Sequence, residues 1–107
     1  MKVKRITKLK VNAFDFEVVW DKAQSSGAGQ LTYHPKPVIT IGTKDNCESG
    51  IYVALCHELL ELCAIEMNVR YNRPDIRDDY LFSLNHQQFE TMSNMFAGLL
   101  KNFIGGK

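Results

Sequence analysis

The sequence predicts an α+β protein, a small and mainly antiparallel sheet packed with two long helices. Three observations predict it. Up to Ile41, apolar residues come in short runs rich in β-branched and aromatic side chains, punctuated by Asn, Gly and Pro. Leucine, alanine and methionine in Ile51 to about Met67 suit a helix, and no proline interrupts that run or Asn85 to Phe103. Finally, 107 residues supply one modest core and not two, so residues 1-107 form a single domain with a β-rich part (1-50) and a two-helix part (51-104).

Residues 3 to 11 loosely alternate basic and aliphatic side chains, and Phe14 to Trp20 continues with aromatic and β-branched types. Asn12-Ala13 between them predicts a turn, hence a hairpin or one long bent strand. Gln24 to Gln30, with its Ser-Ser-Gly-Ala-Gly core, is a loop by composition. Leu31 to Tyr33 resumes an extended path, and Pro35 and Pro37, which cannot donate to a ladder, confine it to an edge. Val38 to Ile41 is the clearest strand, followed by a polar connection from Gly42 to Gly50. The first helix spans Ile51 to about Met67. A polar, Arg- and Asp-rich linker with Pro74 runs from Asn72 to Asp79, its charges read as surface ion pairs. Asn85 is a candidate N-cap for the second helix, and Gln88 three residues on completes a capping box. Phe89, Met92, Phe96, Leu99 and Phe103 step by three and four and read as its buried stripe.

Composition removes several functional classes. No stretch approaches the roughly 18 apolar residues of a membrane span. The basic N-terminus has no apolar run behind it and is not a signal peptide. Three cysteines without regular spacing indicate reduced thiols, and hence a cytoplasmic protein. The net charge of +1 conceals an asymmetry, because Lys2, Lys4, Arg5, Lys8 and Lys10 stand together with no acid among them. The simplest reading is the solvated side of an edge strand. No aromatic interleaving accompanies these lysines, and the balance is against nucleic acid as a partner.

The chemistry concentrates in ALCHELLELCA, residues 54–64. On a helix, His57 and Glu61 lie one turn apart on one face, among Ala54, Ala64, Val53 and Ile65. A carboxylate beside an imidazole in apolar surroundings is costly unless it is paired or holds a cation. Glu58 points about 100° away from His57. Stepping back three residues from Phe89 reaches His86, which that stripe turns toward the first helix. His57, Glu61 and His86 then make two imidazoles and one carboxylate, the donor set of catalytic zinc sites that keep a position open for water. Cys56 and Cys63, seven apart, share a different face and read as packed small hydrophobes.

These residues resemble the zincin superfamily, in particular its thermolysin-like branch. His57-Glu58-Leu59-Leu60-Glu61 stands where that branch has H-E-x-x-H, and Asn85-His86 stands where it has an asparagine followed by a ligating glutamate. The chain is also similar, from about Val38 to Leu100, to small phage and prophage proteins with H-E-x-x-E and a downstream H-x-x-F/I helix. The resemblance implies a minimal zincin-like fold and zinc held by His57, Glu61 and His86. It implies a metallopeptidase in which Glu58, as general base, draws the proton from a metal-activated water attacking a peptide carbonyl. Val38 to Ile41 would border the cleft for an extended peptide. Two other readings stay open. One is a non-catalytic metal-binding or protein-interaction module on the same fold, such as a mobile-element adaptor or inhibitor. The weaker one is a nucleic-acid-associated protein using its basic N-terminal strand.

Overall fold

The computed structural model describes residues 2–72 and 80–104 of the chain. Strand β1 (Lys8–Val11) reverses at Asn12 into β2 (Phe14–Asp21), with Leu9 opposite Phe16 and Val11 opposite Phe14. Asn12 takes a φ of 53°, a left-handed conformation that asparagine tolerates better than most residues. Strand β3 (Gly29–Thr32) follows the Ser/Gly loop, and β4 (Val38–Gly42) follows the two prolines. The sheet order is β1-β2-β4-β3. Strand β4 therefore lies between β2, to which it is parallel, and β3, to which it is antiparallel. Two of the three pairings are antiparallel, as the composition of the first half led one to expect.

Period-two alternation sorts the side chains. Leu9, Val11, Phe16, Val18, Ile39 and Ile41 are buried on one face. Lys8, Lys10, Asp15 and Glu17 occupy the other, where Lys10 lies 3.8 Å from Asp15 and Lys36 lies 3.0 Å from Glu17. Such exposed pairs contribute little, and they account for the basic residues of β1 as a solvated face.

The buried face is covered by α1 (Glu48–Glu66), which contributes Ile51, Leu55, Leu59 and Leu62 to the core. The helix starts three residues before Ile51 because Glu48 is held from outside: it accepts from the Val3 amide at 3.0 Å and Arg5 Nη2 at 2.7 Å. These hydrogen bonds keep the Glu48 carboxyl below its ordinary range. At the other end, Asn68 (φ 58°) closes a Schellman motif, its amide bonding the Ile65 carbonyl and the Val69 amide bonding that of Ala64. Glu66 accepts from both Asn12 Nδ2 (2.8 Å) and Tyr33 Oη (2.7 Å), tying the helix end to the sheet.

A short ribbon of β5 (Arg70–Asn72) and β6 (Tyr80–Phe82) leads to α2 (His86–Leu100), which packs on α1. Asn85 is its N-cap, and the capping box closes with two 2.8 Å bonds between Asn85 and Gln88. Leu99 and Phe103 reach the core, Phe103 meeting Trp20 edge to face. No helix among the described residues is long and apolar enough to cross a membrane. Most of the Asn72–Asp79 linker and the Gly105–Lys107 tail lie outside the described residues.

Candidate functional site

Strand β3 ends the sheet, and its far edge carries no further strand among the described residues. The Gly42 amide donates to the Ala28 carbonyl at 2.8 Å, which makes Gly29–Ile41 and Leu31–Ile39 the non-hydrogen-bonded pairs of this ladder. Gln30 and Thr32 therefore spend their backbone groups on β4. Gly29 and Leu31 direct theirs off the open edge. Sequence reasoning expected Val38–Ile41 to border a peptide cleft; that strand is interior to the sheet, and β3 is the edge strand beside it. The reason is pairing order, which no local pattern records.

Beside this edge, α1 presents Glu58. It is the one buried charged residue described, 5% exposed, and its carboxylate packs against the bare Cα of Gly29. Desolvation raises its pKa; the nearby His57 opposes that shift and Glu61 adds to it. A carboxyl in that position is poised to take or hold a proton, and it lies against Gly29 of β3.

One turn along α1, His57 and Glu61 do share a face. Together with Leu60, Ala64, Phe82, Leu84 and Met92 they line a pocket of about 260 Å³, mostly apolar. Glu61 is not a free carboxylate, since Arg70 Nη1 lies 3.7 Å from its Oε2.

His86 does not join them. Its side chain is 83% exposed and lies 3.9 Å from Glu90, beside Phe89, Ser93 and Asn94. The expectation failed at Phe89, which is 55% exposed and not part of the buried stripe. The face that packs on α1 is Met92, Met95, Phe96, Leu99 and Leu100. Measured from Leu99 at 100° per residue, His86 is about 140° away, beyond every member of that face. Extending a stripe from its marginal member carried the error to His86.

Among the described residues, no three His, Cys, Asp or Glu side chains are grouped to hold a metal ion. As folded, the residues present do not fit an open catalytic zinc site. Two of three donors face one pocket, and one of those two is engaged by a guanidinium. No cysteine lines this pocket: Cys63 is fully buried, with its thiol pushed up to about 11 chiefly by desolvation, Cys56 is half-buried and Cys47 is exposed. Gly29 is the site residue that sequence reasoning missed; its only signal was a glycine at the mouth of an edge strand, a mark of close backbone approach. No family model matches the chain, and no curated protein or solved structure matches it.

Proposed function

We propose that this protein is a peptide-binding module on a zincin-like framework, taking an extended segment along the open edge of β3. The observation that carries this reading is the disposition of Gly29 and Leu31, whose amides and carbonyls face outward two residues apart, with Glu58 packed against Gly29. That spacing matches alternate residues of an added strand, the recognition mode in which main-chain bonds give affinity and pockets select side chains. The mostly apolar pocket that His57 and Glu61 line, on the helix that carries Glu58, is the candidate place for such a side chain. The test is selection from a displayed library of random peptides about ten residues long. Binders should slow exchange at the Gly29 and Leu31 amides, and Leu31→Pro should lose them while the ladder to β4 persists. Binders that protect neither amide would remove this reading.

A second reading, a zinc-dependent peptidase with Glu58 as general base, is supported by one observation, the desolvated carboxyl beside His57. Because the donor set does not fit the metal as folded, we derive no catalytic step through it. Metal analysis decides: near-stoichiometric zinc, lost in both His57→Ala and His86→Ala, would restore the three-donor site and require α2 to turn. Zinc well below stoichiometry in the unaltered protein would end it.

A further inference from the structure

Three segments meet at the end of the sheet where β2 and β4 finish. Because these strands are parallel with Asp21 opposite Gly42, the residues that follow them, Lys22 and Thr43-Lys44, leave the sheet side by side. Strand β1 is antiparallel to β2, so the segment preceding it, with Arg5, returns to the same end. Together Arg5, Trp20, Lys22, Thr43, Lys44 and Asn46 line a cavity of about 370 Å³.

The bases of these side chains are fixed. Thr43 donates to the Asp21 carbonyl (2.9 Å), Lys44 to that of Gln24 (2.8 Å) and Asn46 to that of Thr43 (3.0 Å). Arg5 sits 5.1 Å over the Trp20 ring, and the indole nitrogen donates to the Ile6 carbonyl at 2.7 Å. The acids nearby are already engaged or outside the lining. Both Glu48 oxygens are taken, by Val3 and Arg5, and Asp21 accepts from the Ala23 amide at 2.9 Å. Asp45 does not line the cavity. Lys22 and Lys44 enter none of the ion pairs found among the described residues. The lining therefore holds Lys22 and Lys44, Arg5 with its charge already met by Glu48, a hydroxyl and a carboxamide, with no acid.

We propose that this cavity, at the end of the sheet where β2 and β4 finish, binds the phosphate group of a small phosphorylated ligand. Several donors converging from three segments suit a multi-oxygen dianion, whose charge-assisted hydrogen bonds are about twice as strong as neutral ones. A carboxylate, with two oxygens, uses fewer of them. The site shares no residue with the peptide edge, so it stands or falls separately from that reading.

Trp20 is the only tryptophan in the chain and a wall of the cavity, so its fluorescence reports occupancy. Titration with inorganic pyrophosphate at low ionic strength should give a saturable change, half complete at about 1 mM or below. Lys22→Gln and Lys44→Gln, both at exposed positions, should each weaken it by about tenfold, and the pair should abolish it. ATP in a parallel arm identifies the source: tighter binding than pyrophosphate points to a nucleotide, equal binding to the phosphate group alone, and either supports the site. A non-saturable change matched by sodium chloride, or a double variant that binds like the parent, overturns it.

Discussion

Glu58 occupies the space that a side chain at Gly29 would fill: a Cβ there would lie 2.9 Å from Glu58 Oε2 and 3.1 Å from its Cγ. The pair joins the open edge of β3 to the middle of α1. Because Cγ is close as well as the carboxylate oxygen, the side chain cannot simply swing its tip away. We expect Gly29→Ala to cost about 1 kcal/mol or more. In a Glu58→Ala background the same change should cost less, and a double-mutant cycle by urea unfolding measures the coupling. Additive effects would mean that the two residues do not meet.

Glu58 should also mark the pH dependence of stability. Its pKa is raised in the folded state, so folding takes up a proton there as pH climbs past the ordinary carboxyl range. The stability linked to Glu58 is full below that range and is lost as pH rises through the elevated value. Glu58→Gln should stabilise the protein at pH 7 by on the order of 1 kcal/mol and give little gain near pH 4. Thermal melts at the two pH values check the sign.

Amide exchange tests the geometry of the edge without any ligand. The Gln30 and Thr32 amides, bonded to β4, should exchange slowly, and those of Gly29 and Leu31 quickly. A uniform rate along β3, or the opposite alternation, would contradict the register.

Glu66 receives two hydrogen bonds from elements on either side of the sheet's long strands, and Tyr33 registers one of them. Desolvation, then the bond to Glu66, hold the Tyr33 hydroxyl well above its ordinary pKa. Replacing Glu66 with Ala should cost about 1 kcal/mol, mostly through the half-buried Tyr33, because water can replace the bond to the exposed Asn12. In spectrophotometric titration the most alkaline tyrosine should move toward its usual value.

Local chemistry made much of this fold legible. Asn85 and Gln88 announced their capping box because both partners lie within one helical turn. The alternation of Leu9, Val11, Phe16 and Val18 likewise encoded a one-sided sheet. Nothing in the run Val38-Ile39-Thr40-Ile41 says that it enters between β2 and β3, because that choice is made by contacts distant in sequence. The first turn of α1 was missed for the same reason, its support coming from Val3 and Arg5. The paired face of His57 and Glu61 follows from helical spacing alone. The outward turn of His86 depended on whether Phe89 or Met95 marked the contact, and hydrophobicity ranks the exposed phenylalanine first.

The insertion of β4 also orders events in time. The β1–β2 hairpin can form from neighbours in the chain, whereas β3 has no place on the sheet until β4 has docked beside β2. Closing that longer loop is an entropic delay of the kind that slows non-local pairing. Since α1 follows β4 directly, the strand edge and the helix that carries Glu58 should be acquired together, late, and in one cooperative step.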